Sequence, residues 1–504
     1  PYRVFERLLI ANRGEIAVRV IRACRELGIH SVAIYSEADR RALHVLEADE
    51  AHCVGPAPSS ESYLRIDKIL DVAKCAGVQA IHPGYGFLAE RAPFSKAVTE
   101  AGFVFVGPSA ETIEAMGDKT EARRRMLEAG VPIVPGVTEA IQTPGEAEGI
   151  GEGLGYPLLL KASAGGGGKG MRVVRTAEEL PKAFEAASRE ALTAFGDGSV
   201  YLERFLDAPR HVEIQVMGDR SGKVLHFGER ECSIQRRHQK LIEESPSPVV
   251  SPSLRKEMGA AAVKAAEAVH YLGAGTVEFL FKDGEYFFLE MNTRLQVEHP
   301  VTELVYGVDL VELQLRVAAG ESLEIDQAGL EPEGHAIECR ITSEDPFRGF
   351  LPSTGRVDYL RIPGGPGVRW DGGIINGFEV GLHYDPLLGK LIVHAPTRQS
   401  AIRRMARVLN EMVIRGVDTC IPFHRRVMDE PDFLQGDLSI QYLEDHPDLM
   451  GGPEEEDLLR AAAVAAAILQ EKERQRLKVL PPSDHGGTGF SSWKRAGWPF
   501  SGKR

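Results

Sequence analysis

The chain has 504 residues, of which 43% are hydrophobic and 26% charged, a composition ordinary for a globular protein of about three domains. Its net charge of −14 argues against general binding to nucleic acid or acidic membranes, and no apolar run reaches the ~18 residues needed to span a bilayer. The six cysteines are scattered without a C-x-x-C pair, which excludes a disulfide framework or a zinc pattern and suits a reducing compartment. We therefore expect a cytoplasmic protein.

Strand and helix patterns alternate through the first 110 residues. RLLIA is a strand pattern, IAVRVIRACREL repeats apolar residues at helical spacing, and SVAIYS is again a strand pattern. Gly28 follows the helix pattern, where a C-terminal cap belongs. These patterns predict a parallel sheet with helices on its faces. The segment resembles a Rossmann unit, but its first turn carries only Gly14, so we assign no nucleotide to it.

A glycine-rich loop, KASAGGGGKGMRVV, lies between two strand patterns at 161–174. A P-loop would need Ser or Thr after Lys169, where this chain has Gly170, and a dinucleotide fingerprint would need a following helix. The β-branched MRVV instead predicts a second strand and therefore a hairpin. The backbone N–H groups at its tip could bind a phosphate. A flexible surface hairpin is the alternative.

Polar side chains alternate along FLEMNTRLQVEHP, residues 288–300. If the stretch stays extended, one face carries five polar groups: Glu290, Asn292, Arg294, Gln296 and Glu298. A solvated strand face is the alternative interpretation.

The sequence KDGE upstream of this stretch predicts a hairpin. With a three-residue loop, Lys282 to Gly284, Glu278 pairs with residue 288 and Glu290 lies diagonally across on the same face. A two-residue loop would put the two glutamates on opposite faces. Glu278, Glu290 and Asn292 are oxygen ligands of the kind that Mg²⁺ prefers alongside phosphates. Together with the glycine hairpin and its lysines, they indicate an ATP site.

Basic residues concentrate in ERECSIQRRHQKLIEESP, residues 229–246. Flanking glutamates argue against a nucleic-acid patch, and a solvated face is the plain alternative. Beside a phosphate site, we expect the cluster to bind small anions; its members are Arg230, Arg236, Arg237, His238 and Lys240.

The composition changes at residue 451. EEEDLLRAAAVAAAILQEKERQRLKV is alanine-rich, with acidic residues first and basic residues last, which suits the helix dipole and predicts a helix. PPSDHGGTG ends the pattern, and the last residues are basic and aromatic.

Assembled in order, these motifs resemble the biotin carboxylases of the ATP-grasp superfamily over about residues 1–447. The matching pieces are IANRGEIAVRVIRACRELG, AIHPGYGFLAE, MGDK, KASAGGGGKGMRVV, PRHVEIQV, ERECSIQRRHQKLIEESP and EMNTRLQVEHPVTE. The resemblance implies an α/β fold of the α+β ATP-grasp type. It implies a Rossmann-like domain at 1–114, an ATP-grasp domain at 115–334 with a mobile lid at about 133–206, and a mixed β domain at 335–447. The helical tail at 448–504 lies beyond the match, and we expect either a partner-docking extension or a disordered tail.

The resemblance also implies an ATP site with Mg²⁺ or Mn²⁺, two ions in all. The implied metal ligands are Glu278, Glu290 and Asn292. The implied nucleotide contacts are Lys119, Lys161, Gly166, Gly167, Gly168, Glu203, Leu206, His211, Gln235, His238 and Ile440. Considered alone, Lys161 is as readily a surface charge at a strand end.

The resemblance further implies a site for bicarbonate and biotin. Glu298 would be the general base, and Arg340 would stabilise the biotin enolate. Bicarbonate would contact Lys240, Arg294, Gln296 and Val297, and biotin would lie near Tyr85 and Phe87. Without the resemblance, Arg340 could simply pair with nearby acids, and Tyr85 and Phe87 could be ordinary loop packing.

The implied activity is ATP- and bicarbonate-dependent carboxylation of biotin through carboxyphosphate. No Met-Lys pair, which marks the family's biotin-acceptor site, occurs in the sequence. We therefore expect biotin on a separate carrier protein, a separate carboxyltransferase as a further partner, and a homodimer, as in an acetyl-CoA or propionyl-CoA carboxylase of fatty acid biosynthesis or a pyruvate carboxylase. The rivals are another ATP-grasp ligase, which should lack EMNTRLQVEHPVTE, and a non-catalytic nucleotide-sensing protein, which should have lost a metal carboxylate or the base.

Overall fold

The computed structural model describes residues 4–137, 139–162, 171–195, 198–452 and 455–477. The chain divides into two compact units, Pro1–Met450 and Gly451–Arg504. The first unit contains a five-stranded, a three-stranded and an eight-stranded sheet. Within the described ranges, no helix has both the length and the apolar character needed to cross a membrane.

The N-terminal sheet is parallel, with strand order β3-β2-β1-β4-β5, as the alternating patterns predict. Helix α1 buries its apolar face against the sheet and ends at Gly28, which has the left-handed φ of 71° that favours glycine. The elements are β1 (Arg7–Ile10), α1 (Gly14–Leu27), β2 (His30–Ser36), α2 (Leu43–Glu47), β3 (Glu50–Gly55), α3 (Ile66–Ala76), β4 (Ala80–His82), α4 (Ala92–Glu100) and β5 (Val104–Phe105).

A small antiparallel sheet of order β7-β6-β8 follows two linking helices. Strands β6 and β7 pair on either side of the glycine loop, so the hairpin that MRVV predicts is confirmed. Gly166, Gly167 and Gly168 themselves lie outside the described residues. The elements are α5 (Ala110–Gly117), α6 (Lys119–Glu128), α7 (Pro144–Leu154), β6 (Leu158–Ala162), β7 (Arg172–Val174), α8 (Leu180–Phe195) and β8 (Val200–Arg204).

The large sheet joins the ATP-grasp and C-terminal segments, in the order β13-β12-β9-β10-β11-β14-β21-β19. Strand β14 begins at His335, directly after the predicted boundary, and pairs with β11, so the sheet is continuous across that boundary. Its first elements are β9 (Arg210–Gly218), β10 (Val224–Arg236), β11 (Gln239–Ser245), α9 (Pro252–Glu267), β12 (Gly273–Lys282), β13 (Glu285–Asn292), α10 (His299–Tyr306) and α11 (Leu310–Ala318).

The C-terminal segment packs helix α12 on strands β14 and β21, around a core that includes Ile337, Leu391 and Met405. Its elements are β14 (His335–Thr342), β15 (Glu344–Asp345), β16 (Leu351–Pro352), β17 (Gly355–Arg356), β18 (Tyr359–Arg361), β19 (Val368–Gly372), β20 (Glu379–Val380), β21 (Leu387–Ala395), α12 (Arg398–Glu411), β22 (Val413–Arg415), α13 (Ile421–Val427), α14 (Pro431–Gln435) and α15 (Tyr442–Asp445).

The β12–β13 hairpin has a two-residue loop, Asp283 and Gly284, so the predicted three-residue loop is wrong. Both loop residues have positive φ, as a tight hairpin turn requires. Glu278 and Glu290 nevertheless share a face, because the register shifts by one residue at Leu289 and makes them direct partners. A β-bulge of this kind inserts one extra residue and re-aims the side chains beyond it.

The extended stretch predicted for residues 288–298 is also shorter than expected. Strand β13 ends at Asn292, and the chain then turns until Glu298, which precedes helix α10. The alternation argument therefore applies to Glu290 and Asn292 but not to the residues beyond. Their side chains enter the same region through the irregular segment and the helix start.

In the second unit, helix α16 (Glu455–Leu477) confirms the helix predicted in the tail. Several apolar side chains along it are more than half exposed, namely Leu459, Val464, Ile468 and Leu469.

Candidate active site

A fully buried arginine, Arg230, is the centre of the polar network on the large sheet. Its guanidinium has five N–H donors, and they bind Glu213, Gln215, Thr276, Gln296 and Thr302 at 2.6–3.0 Å. The anion-binding interpretation of the basic cluster is therefore wrong for Arg230, because its donors are already used within the protein.

Lys240 lies between three buried carboxylates that come from different elements. Its ammonium is 2.6 Å from Glu213, 2.9 Å from Glu278 and 2.7 Å from Glu298. Burial opposes the charge on Lys240, but the three carboxylates outweigh it and raise the lysine pKa well above its usual value. Burial likewise opposes the charge on Glu298, yet Lys240 holds the pKa of that carboxyl below its ordinary value. Glu298 is consequently ionised at neutral pH.

Glu278 has polar partners on both of its oxygens, with hydrogen bonds on one and an ion-pair contact on the other. One oxygen accepts from Lys240 and from the side-chain amides of Asn292 and Gln296, both at 2.8 Å. The other lies 3.3 Å from Nε2 of His211. Burial opposes the charge on His211, but Glu278 outweighs it and raises the His211 pKa to about 9. The site thus gathers donors around a carboxylate that stays ionised.

Glu290 is the direct cross-strand partner of Glu278 and is exposed at the edge of the network. Two carboxylates and the amide oxygen of Asn292 are hard donors, and adjacent like charges are favourable only when a cation lies between them. The three predicted metal ligands therefore lie together, and the Glu278–Glu290 pair fits a divalent cation. Asn292 turns its Nδ2 toward Glu278, while its Oδ1 accepts from Arg294.

Glu298 also contacts a second cation, because its other oxygen lies 3.0 Å from Arg340 on β14. Arg340 in turn donates from Nε to Glu243 at 2.6 Å. The two acids are fully buried, and the guanidinium is mostly buried. Arg340 does pair with nearby acids, and one of those acids is the predicted base.

Arg294 points toward Asn292 and toward an acid of the N-terminal segment. Its guanidinium donates to Asn292 Oδ1 at 3.0 Å and to Glu90 at 2.9 Å. Glu90, Asn292 and Glu290 line a cavity of about 200 Å³ together with Lys119. Lys119 thus lies beside two of the predicted metal ligands, in a cavity that a phosphate group could enter.

Lys161 and Glu203 form an ion pair in the small sheet, on the adjacent strands β6 and β8. Glu203 is buried and also bonds Arg123 at 3.2 Å. Its backbone forms an isolated bridge with Gly136. The structure therefore brings these two predicted nucleotide residues to each other.

The remaining predicted nucleotide residues lie around the start of β9 and the β10–β11 turn. Leu206 is half-buried after β8, and the Ile440 side chain is 38% exposed while its N–H donates to Pro209 O at 3.0 Å. Gln235 is half-buried near the end of β10, and His238 is exposed at the turn with a φ of 66°.

Tyr85 and Phe87 differ in their surroundings. Phe87 stacks on Tyr63 with ring centroids 5.1 Å apart. Tyr85 bonds Glu15 and lies 6.0 Å from the ammonium of Lys390. That ammonium donates to the carbonyl oxygen of Val297 at 2.7 Å, which links Tyr85 to the site.

Three family models match consecutive parts of the chain. They are described as "Biotin carboxylase, N-terminal domain" (residues 4–113), "Carbamoyl-phosphate synthase L chain, ATP binding domain" (118–326) and "Biotin carboxylase C-terminal domain" (338–445). The chain is 53% identical to "Biotin carboxylase 1" of Bacillus subtilis over 450 residues, which is 89% of this chain and 100% of that protein. It belongs to the biotin carboxylase family.

Two solved biotin carboxylase structures are similar to this chain over nearly their whole length. The biotin carboxylase domain of the Hydrogenobacter thermophilus 2-oxoglutarate carboxylase, solved as a dimer with MgADP, ADP and bicarbonate, has a TM-score of 0.83 and 48% identity over 89% of this chain and 99% of its own. The Campylobacter jejuni biotin carboxylase complex with β,γ-ATP also has a TM-score of 0.83, with 46% identity over 88% and 99%.

Several residues of this biotin carboxylase site were not predicted individually. Glu213 could have been found, because the alternation in PRHVEIQV puts it on the face of His211. Glu90, Glu243 and Lys390 carry no such local signal. They reach the site from other elements of the fold.

Proposed function

We propose that this chain carboxylates biotin carried on a separate protein, using ATP and bicarbonate, as the first half-reaction of a biotin-dependent carboxylase. The observation that carries the proposal is the position of Glu298, which is buried, ionised and held by both Lys240 and Arg340. The adjoining Glu278–Glu290 pair supports ATP-dependent chemistry in the same region. The names of the relatives agree with this activity.

Bicarbonate is a poor electrophile and needs activation by phosphorylation. We assign its proton to Glu298, since a general base must be ionised and within hydrogen-bond reach. Lys240 and Arg294, with the backbone at Gln296 and Val297, would hold the anion. A bicarbonate oxygen then attacks the γ-phosphorus of ATP, ADP leaves, and carboxyphosphate forms. Positioning and charge neutralisation supply most of the rate in such transfers.

Glu278, Glu290 and Asn292 would hold Mg²⁺ or Mn²⁺, two ions by the family resemblance. When bound, the cations neutralise charge on the ATP phosphates. Lys119 adds a fixed positive charge beside them, and Lys161 would add another once it exchanges Glu203 for a phosphate. A lysine 4 Å from a phosphate gains about 4 kcal/mol at an effective dielectric near 20 but about 1 kcal/mol in water, so closure of the glycine hairpin strengthens the contact. By the family resemblance, the backbone amides of Gly166, Gly167 and Gly168 would also contact the ATP phosphates.

Carboxyphosphate would break into carbon dioxide and phosphate inside the closed site. The phosphate takes the N–H proton of biotin, and the resulting nitrogen attacks carbon dioxide to give carboxybiotin. Arg340 would stabilise the enolate oxygen of biotin, since a guanidinium is a planar, permanently charged donor. Tyr85 and Phe87 would lie near the biotin ring. Exclusion of water protects the labile intermediate.

The remaining nucleotide contacts, the cellular location and the partners are assigned by resemblance to the family. His211, Gln235 and His238 would line the nucleotide pocket, Glu203 and Leu206 would meet the adenine edge, and Ile440 would pack near the base. We place the protein in the cytoplasm, as a homodimer that works with a biotin carrier protein and a carboxyltransferase. A domain dimer is recorded for the Hydrogenobacter thermophilus relative.

The proposed domain limits are 1–114, 115–334 with the lid at about 133–206, and 335–447. We further propose that the tail at 448–504 docks another protein of the carboxylase complex. The exposed apolar side chains along α16 support this idea.

The decisive experiment measures ADP formation as a function of bicarbonate and free biotin. Turnover that requires both supports the carboxylase, whereas turnover with bicarbonate and no need for biotin would support another ATP-grasp ligase. In Glu298→Gln, biotin-dependent turnover should be lost while ATP affinity stays near that of the wild type. Glu285→Gln, an exposed glutamate at the start of β13, is the matched control and should retain turnover. Unchanged carboxylation by Glu298→Gln would contradict the assignment.

A further inference from the structure

Two buried glutamates face each other beside Arg340. Glu243 on β11 and Glu338 on β14 are direct cross-strand partners, and both are fully buried. Glu338 lies two residues before Arg340, so their side chains share one face of the strand. Glu243 binds Arg340 through one oxygen. Neither oxygen of Glu338 has a hydrogen-bond partner among the residues that the structure describes.

The cation opposite on the next strand is engaged elsewhere. Lys390 on β21 is the cross-strand partner of Arg340. Its ammonium donates to the carbonyl oxygen of Val297 at 2.7 Å and lies 3.2 Å from Glu15. Lys390 therefore faces Glu338 without a hydrogen bond to it.

The other two cations near the pair are also matched by acids. Arg340 divides its donors between Glu243 and Glu298, and Lys240 contacts the same Glu298 and two further carboxylates. Glu338 thus adds a carboxyl group where the positive charge is already balanced.

Two adjacent buried carboxylates repel each other, and a charge on the one that contacts no cation is costly. An isolated buried charge takes up a proton instead of remaining unpaired. Accordingly, burial raises the pKa of Glu338 well above its ordinary value, and it raises the pKa of Glu243 to about 7 in spite of Arg340. The contacts and the pKa directions therefore both indicate that one of the two carboxyl groups is protonated.

We propose that Glu243 and Glu338 hold one proton between them, so that the pair offers Arg340 one negative charge instead of two. Glu338 is then a positioning residue, because it acts on substrate only through the charge that Arg340 presents. A second charge on the pair would compete with the biotin enolate for the guanidinium. The part played by Arg340 rests on the proposed function, whereas the shared proton does not.

The first test compares pH profiles of kcat for bicarbonate-dependent carboxylation of free biotin. Glu338→Gln keeps a neutral group at this position at every pH. The ratio of kcat at high pH to kcat at pH 7 should rise at least about threefold over the wild-type ratio. The control is Glu244→Gln, the next residue on β11, which faces the other way and binds His335 and Arg398. Its ratio should match the wild type, and an unchanged ratio in Glu338→Gln would overturn the proposal.

A second measurement reads the proton directly and needs no activity. The infrared difference spectrum of wild type minus Glu338→Gln at pH 7 should contain the carbonyl stretch of a protonated carboxyl group, shifted in D₂O. Absence of that band would refute the shared proton, even if the carboxylase activity is as proposed. Glu338→Met covers the case in which glutamine is not tolerated. Because Glu338 is protonated in this proposal and pairs with no cation, its removal should change the thermal midpoint little, and a large fall would contradict a neutral Glu338.

Discussion

Replacing Lys240 by methionine tests the electrostatic centre of the site. The change removes the cation that three carboxylates share, those of Glu213, Glu278 and Glu298. Each charged hydrogen bond contributes about 1.5–3 kcal/mol, so three amount to about 5–9 kcal/mol. Burying the ammonium costs several kcal/mol, and breaking a buried ion pair from one side typically destabilises by about 3–5 kcal/mol. We therefore expect Lys240→Met to lower the free energy of unfolding at pH 8 by about 3–5 kcal/mol.

The loss should depend on pH with a defined sign. In the wild type, Lys240 and then His211 outweigh burial and hold the Glu278 pKa well below its ordinary value. That carboxylate therefore stabilises the fold above the unfolded pKa of about 4.3, and the contribution is lost as pH falls through the folded pKa. Without Lys240, burial raises the folded pKa of Glu278. The folded variant then binds a proton that the unfolded chain does not, and its deficit shrinks as pH falls from 8 toward 5.

The assay is urea unfolding of both proteins at several pH values in the presence of EDTA. Lys223→Met is the matched control, because the Lys223 ammonium donates to the carbonyl oxygens of Leu323 and Ile325 and to no carboxylate in those contacts. Its cost should be nearly independent of pH. A Lys240→Met deficit below about 1 kcal/mol, or one equal at pH 8 and pH 6, would refute the reasoning.

Three further changes probe other parts of the molecule. Glu90→Ala removes an acceptor that holds Arg294 in place. A loss of about 1.5 kcal/mol in bicarbonate binding should raise the KM for bicarbonate about tenfold and leave ATP affinity unchanged. Equal effects on both would contradict a role of Arg294 in binding bicarbonate. Gly228→Ala places a methyl group against Tyr306 at a φ of +60° within strand β10, and should lower the free energy of unfolding by about 2–5 kcal/mol. A cost below about 1 kcal/mol would mean that the strand adjusts and would contradict this expectation. Deletion of residues 451–504 should leave free-biotin carboxylation intact and weaken co-purification with the carrier protein and carboxyltransferase; unchanged co-purification would end the docking idea.

The sequence by itself determined the order of the elements and the chemistry of the site. Apolar spacing is local, so IAVRVIRACREL predicts its helix and MRVV predicts its strand without knowledge of the rest of the fold. The hairpin argument placed Glu278 and Glu290 at one site, and the family resemblance of the motifs added Glu298 to it.

Only the tertiary structure decided how those acids come together. The bulge at Leu289 makes Glu278 and Glu290 partners across a loop shorter than predicted, and it depends on the packing of two strands. Glu298 reaches the site from the start of a helix and not from the strand. The pairing of Glu243 with Glu338 joins residues far apart in the chain, and their shared burial decides which groups keep a charge. Local patterns specify elements, whereas electrostatic environments arise only when distant elements pack.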